Sequence, residues 1–367
     1  MGWRKEHAMR QAPTGGRWRP SPSAPTPARS RRRMVVRVAL SLVAVTLVAA
    51  ACGSSASSSS SAAAAASSSP SGLSGKLVIA VQPDLGYSPL YIVEQEGWLK
   101  QAMPHVSVTW ETLNSGSAME TGMLSGSIDV GAGGVAPFIL GWSKGVGWKL
   151  VTSLGESDLW LVVKPQITSF KSITPSDRIA VVAPTSIQAI ILKAAAQKYL
   201  GNPSALDQNL TILSHPVAYQ AFRSGTIQGA LDAPPFQQEE VAAGGHVLLK
   251  SYSLFGPSTF NSAFALPSYY NSHKQIMNVL VQQVKRAVAL LNSHPNQAAK
   301  IISAYEHGSL SAAAAKADIT SSSEHWTITP HGYLAYAKFM KSIGLISKAP
   351  TSMSQIEFPT LAATPGS

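Results

Sequence analysis

The chain has 367 residues, 45% hydrophobic and 13% charged, and its 29 Lys and Arg against 18 Asp and Glu give a formal net charge of +11. The excess is confined to the start: ten of the 29 basic and one of the 18 acidic residues lie in residues 1–51, which leaves 19 against 17, or +2, for the remainder. That balance removes any basic-patch argument for a nucleic-acid partner, and a single cysteine excludes an intramolecular disulfide, so the fold rests on its core.

In chain order, Arg29, Arg31, Arg32, Arg33 and Arg37 precede an apolar run from Val38 to Ala51 that ends Leu47-Val48-Ala49-Ala50-Ala51-Cys52. A basic segment, a short apolar stretch and small residues at its end predict a signal peptide over residues 1–51, because the stretch falls short of the roughly 20 residues that a membrane-spanning helix needs. The end of the run resembles a bacterial lipobox, with Ala49 where most lipoboxes have Leu. This implies lipidation of Cys52, which becomes the first mature residue and anchors an exported protein to the outer face of the cell membrane. Arg31-Arg32 after Ser30 is also compatible with twin-arginine export, and Met1 and Met34 are both possible starts. Residues 53–75 are almost wholly Ser, Ala and Gly, too polar to bury a core, and read as a flexible tether.

Beyond the tether, residues 77–81 predict a buried strand, 89–100 a helix closed near Gly97, 106–110 an alternating strand, 117–124 a helix and 128–131 a further strand. The pattern then starts again, with strands at 178–182, 210–213 and 230–232 and helices at 186–200 and 217–223. The run Met123 to Gly131 is echoed by Phe222 to Ala230, and each is followed by a Pro-Phe pair, Pro137-Phe138 and Pro235-Phe236. Alternating strands and helices, repeated, predict an α/β fold in two lobes with largely parallel sheets. Two extended apolar segments closed by Pro, 159–164 and 261–266, are suited to cross between lobes. Taken as paired hinge strands, they put 76–162 plus 262–367 in lobe 1 and 163–261 in lobe 2.

Family likeness enters with Tyr87, Ser88-Pro89-Leu90-Tyr91 and Gly97-Trp98-Leu99, then 125–131, 170–182 and 219–235, then Ser293-His294-Pro295 and 326–330 through 344–346. In that order they are similar to periplasmic solute-binding proteins of the nitrate, sulfonate, taurine and thiamine-precursor uptake type, over residues 76–348. The resemblance implies a type II periplasmic-binding-protein fold of the Venus-flytrap kind, each lobe a mixed, mainly parallel sheet flanked by helices. It implies a monomer without cofactor, metal or catalysis, whose partners are a small-molecule ligand, an ABC permease and its ATPase subunit.

Ligand contacts are expected where strands end and helices begin, since unpaired N–H groups there bind polar or anionic groups. The candidates are Asp84, Tyr87 and Ser88; Asn114 and Ser115; Gly134 and Val135; Thr185 and Ser186; and Asp232 and Pro234 from the opposite lobe. The same residue types also serve as ordinary caps and turns. Hydroxyl and glycine loops favour an alkanesulfonate, a taurine-like solute or a related anion. The carboxylates of Asp84 and Asp232 favour an amine or a ring N–H, a zwitterion such as taurine satisfies both, and no Arg lies in these loops to clamp an anion. A thiamine-precursor pyrimidine or other heterocycle is the alternative ligand. Tyr87, Trp160 and Phe236 either stack on a flat ligand or belong to the core. An exported or pyrimidine-synthesising enzyme is the alternative of another class. Gly131 to Ala136 fits G-x-G-x-x-A with Glu156 downstream, but not in a first βαβ unit, no G-x-S-x-G is present, and His325 and His331 read as surface loop. Mass spectrometry of the mature N-terminus should find an acylated Cys52, and Cys52→Ala should lose both the acyl mass and retention in the membrane fraction.

Overall fold

A computed structural model describes residues 72–114 and 116–359; the expected signal peptide, Cys52, nearly all of the expected tether and Ser115 lie outside the described residues. Eleven strands form two sheets. They are β1 (Ser74–Val81), β2 (His105–Thr112), β3 (Val130–Gly134), β4 (Lys149–Ser157), β5 (Trp160–Val163), β6 (Ile179–Val181), β7 (Leu210–Ile212), β8 (Gly229–Asp232), β9 (His246–Lys250), β10 (Thr259–Ala265) and β11 (Glu324–His325). The first sheet has the order β11-β4-β10-β3-β1-β2 and the second β7-β6-β8-β5-β9.

Within the first sheet β1 runs parallel to β2 and β3, and β10 runs against β3 and β4. Within the second, β6 runs parallel to β7 and β8, and β5 runs against β8 and β9. In each sheet, then, one reversed strand separates the third and fourth of four strands that share a direction. β11 also runs against β4, so both sheets are mixed, and the parallel pairs are confined to the side where the sequence echo falls on β3 and β8, which hold the same place in each.

Alternation along β1 sets the layers. Val78 and Ala80 join an apolar cluster with Met119, Met123 and Phe138, while Leu77, Ile79 and Val81 face the opposite cluster with Ile276, Met277 and Leu280. Those last residues belong to the helix Lys274–Ser293, whose buried positions Ile276, Leu280, Val284, Ala287 and Leu291 recur at helical spacing. The first cluster also takes in Ile179 and Val181 of the second sheet and Ile190 of the helix Ile187–Leu200, so one apolar layer continues from sheet to sheet. Gly131 is a packing glycine rather than part of a phosphate loop: a Cβ there would stand 2.7 Å from the sulfur atoms of both Met119 and Met123.

Three expectations are corrected. The helix expected at 89–100 is two helices, Ser88–Gln95 and Trp98–Ala102, because Gly97 takes a left-handed φ of 64° between them. The strand expected at 128–131 runs from Val130 to Gly134. The segments 159–164 and 261–266 do not pair with each other: β5 lies wholly in the second sheet and β10 wholly in the first.

The chain passes between sheets at Asp158-Leu159 and returns through Ser251 and the helix Tyr252–Phe255, and it is these passages that are tied together. Ser251 N donates to Leu159 O at 2.8 Å, Leu159 N to Ser251 Oγ at 2.9 Å, and Asp158 Oδ1 accepts from Tyr252 N at 2.9 Å and Ser251 Oγ at 3.1 Å. Asp158→Ala leaves the buried Tyr252 N–H without its acceptor and should cost about 1–3 kcal/mol in a denaturant melt, with Asp158→Asn closer to wild type.

Candidate functional site between the two sheets

The carboxyl ends of β1 and β3 from one sheet and of β6 and β8 from the other converge, as ligand sites do in open α/β sheets. At the end of β1, Asp84 caps the short helix Leu85–Tyr87: its Oδ1 accepts from Gly86 N at 2.8 Å and from Asn261 Nδ2 at 3.2 Å. Its neighbours are held by Tyr91, whose hydroxyl donates to Gln82 O at 2.6 Å and accepts from Asp84 N at 3.2 Å. Gly86 leaves no room for a side chain, since a Cβ would stand 2.6 Å from Phe260 and 2.8 Å from Asp84 Oδ1.

From the second sheet comes a residue absent from the sequence-based candidates. His215 opens the helix His215–Arg223, is buried, binds Asp232 Oδ1 through Nδ1 and points Nε2 at Asp84 Oδ2, 3.7 Å away. Asp232 Oδ1 also accepts from Ala233 N at 2.8 Å. An imidazole thus joins carboxylates of two sheets, Asp84 and Asp232, in a buried chain. Beside it the main chains meet, Leu85 N donating to Pro234 O at 2.9 Å.

Burial dominates the titration of the chain. It pushes Asp84 up to about 7; His215 and the Gly86 N–H act against it and Asp232 adds to it. For His215 burial alone would lower the value, but the Asp232 charge and hydrogen bond, with Asp84, outweigh it and the net shift is upward. Behind Asp232, Glu240 is fully buried, and burial first and the Asp232 charge second push its carboxyl well above the usual range.

A cavity of about 20 Å³, room for one water molecule, lies against this chain. Gln82, Asp84, Asn261, Ser186, Gln188 and His215 supply its polar lining. Ser186 caps the helix Ile187–Leu200 through Ala189 N, and Gln188 Oε1 in that helix is buried with no hydrogen-bond partner among the described residues. The lining contains neither Lys nor Arg. A second cavity, of about 340 Å³, lies where Pro83 to Leu85 and Glu306 from the first-sheet side meet Tyr219, Phe236 and Glu239 from the second.

Of the candidates read from the sequence, Asp84, Tyr87, Gly134, Thr185 and Ser186 line the small cavity. Val135 is core, Ser88 is buried with its Oγ donating to Leu85 O at 2.6 Å, and Asn114 is exposed away from both cavities. Asp232 lines neither cavity and reaches the cleft through His215; Pro234 contributes its carbonyl. Tyr87 is core apart from its hydroxyl, which accepts from Gln82 Nε2 at 2.9 Å. Trp160 is half-buried under the Lys250 ammonium at 4.6 Å, and Phe236 lies parallel to the His215 ring at 5.9 Å between centroids. Glu156 and His331 bind each other. Among the described residues there is no group of three or more metal-ligating side chains and no helix long and apolar enough to cross a membrane.

No family model and no curated protein matches the chain. Among solved structures it is similar to the alkanesulfonate-binding protein SsuA from Xanthomonas axonopodis pv. citri bound to MOPS, at 17% identity and TM-score 0.63 over 80% of this chain and 98% of that one. It is also similar to the periplasmic aliphatic sulphonate binding protein SsuA from Escherichia coli, at 19% identity and TM-score 0.61 over 77% and 92%. A third likeness is to the periplasmic nitrate-binding protein NrtA from Synechocystis PCC 6803, at 11% identity and TM-score 0.63 over 79% and 85%. At these identities the likeness shows the fold, which is that of the two-lobed periplasmic binding proteins.

Because Asp84 holds its proton to about 7 in the folded chain and releases it near 3.8 when unfolded, its contribution to stability falls as pH rises through that window. His215, raised from 6.5, acts in the same direction: its contribution is present at low pH and is lost as pH rises through its folded value. Melting temperature should therefore fall between pH 5 and pH 8, and Asp84→Asn should flatten the slope; equal slopes for variant and wild type would contradict this account.

Proposed function

We propose that the chain is the solute-binding component of an ABC importer, which captures a small polar organic solute by closing two lobes over it and does not turn it over. The observation that carries this reading is the convergence of equivalent strand ends from two sheets of matching order on one buried polar chain, Asp84, His215 and Asp232. In this reading the lobes are 74–157 with 259–359, and 160–250, and the tied passages at Asp158 and Ser251 are the hinge. The fold it shares with sulfonate- and nitrate-binding proteins supports the same role.

Gln82, Asp84, Ser186, Gln188, His215 and Asn261 hold the solute, with Asp232 orienting His215 from behind. An alkanesulfonate would have His215 as its one cationic partner, with the start of the helix Ile187–Leu200 supplying N–H groups. The buried acceptor Gln188 Oε1 and the Asp84 carboxylate favour a solute that also donates, such as the zwitterion taurine or a ring N–H of a pyrimidine. The protein acts as an exported, lipid-anchored monomer that hands its cargo to a permease and its ATPase subunit.

A panel of alkanesulfonates, taurine, nitrate and pyrimidines tests the reading by thermal shift, calorimetry and solution scattering. A true ligand at 100 times its Kd should add about 2.7 kcal/mol of stability and make the particle more compact. A panel that moves neither melting temperature nor radius of gyration would overturn the reading.

A further inference from the structure

The cavity of about 340 Å³ lies on the outer side of the Leu85 to Pro234 link and is distinct in chemistry from the small one. Its volume is in the range that holds a small organic molecule. One wall is aromatic, with the half-buried Tyr219 and Phe236. The charged side chains on its lining are all carboxylates: Glu239 from the second-sheet side, and Glu306 and Asp84 from the first. Among the described residues no Lys, Arg or His lines it.

Asp84 faces the His215 imidazole, with Nε2 3.7 Å from Oδ2, and Ser309 and the exposed His307 of the neighbouring groove act on Glu306, which leaves Glu239 as the carboxylate whose surroundings only raise it. Burial, then the charge of Asp232, pushes Glu239 up, and burial pushes Glu306 up. Asp318, on the first-sheet side, is held near 7 by burial and by the charge of Glu239. Closing the lobes therefore brings like charges together, a cost that a cation between them would convert to attraction. Pro83, Glu306 and Ser309 also border a wider groove of about 1100 Å³, which adds Glu94 and the stacked pair Tyr91 and Tyr305, with rings 4.1 Å apart, to the approach.

We propose that this outer compartment seats an organic cation, a protonated or quaternary amine whose charge lies between Glu239 and Glu306 and whose apolar body packs on Phe236 and Tyr219. An ammonium over an aromatic face gains from the ring quadrupole, and a flat body covers the ring. The proposal rests on the two-lobed reading, since the compartment exists only where the lobes meet.

Benzylamine, benzyl alcohol and benzoate, alike in size and differing in charge, test it by calorimetric titration of the whole mature protein at pH 7.5, with sodium chloride as the salt control. Benzylamine should bind at least about tenfold more tightly than the alcohol, with benzoate weaker still. Phe236→Ala and the double variant Glu239→Gln, Glu306→Gln should each weaken benzylamine about tenfold or more, with circular dichroism reporting that they fold. Equal binding of amine and alcohol, or unchanged amine binding in both variants, overturns the proposal. Scattering on the same samples keeps the two readings apart. Compaction by a sulfonate, taurine or pyrimidine without a benzylamine preference retires the outer cation site alone, and benzylamine binding with no compaction by any solute retires the hinged capture alone.

Discussion

A histidine held out of water between two aspartates is the interaction on which the cleft depends. His215 and Asp232 come from the side of the second sheet and Asp84 from the side of the first, and all three are buried. Taking such charges out of water is expensive, and their mutual attraction offsets the expense only while the geometry holds. In the proposed reading, lobes that part would let water reach Asp84 and His215 again, so that hydration would offset the loss of the ion pair. On that reading the three residues make a poor permanent weld and a suitable reversible closure. Their charge state sets the character of the space beside them, because no Lys or Arg lines that space.

What places these three residues is the repetition of one strand order. β1 and β6 are the central parallel strands of their sheets, β3 and β8 lie beside them, and a reversed strand follows in each. The loops that leave the carboxyl ends of these four strands must then face one another. Gly134 marks how close they come: a Cβ there would lie 3.3 Å from Ile187 of the other lobe, so the lobes touch through an apolar contact immediately beside the polar chain. The apolar layer that runs from sheet to sheet continues from this contact.

Much of this was legible in the sequence, and the rest was hidden for identifiable reasons. The continuous apolar runs at 77–81 and 178–182 marked the central strands, the Ser186 cap marked the start of the helix Ile187–Leu200, and the echo of 123–131 in 222–230 marked the third strand of each sheet. Asp84 and Asp232 stood out as carboxylates at strand ends. His215 did not, because the apolar spacing placed the helix start at Val217, whereas the helix begins two residues earlier with Pro216 in its first turn. Its partner Asp84 is 131 positions away in the chain, and only the sheet order brings them together. The expected pairing of 159–164 with 261–266 fails for a related reason: β5 and β10 are apolar and extended as crossing strands would be, yet each is paired in its own sheet, and the polar Asp158 and Ser251 tie the passages between sheets. Gln188 showed no signal, since an unpaired amide oxygen is a property of packing.

The bond from Leu85 N to Pro234 O has a separate consequence. It joins backbone to backbone, so no exchange of side chains in the surrounding loops erases it. In the proposed reading, the cleft could be rewritten residue by residue for a different cargo while the same peptide groups still clasp across it. A change of appetite and the ability to shut would then be separable traits in this architecture.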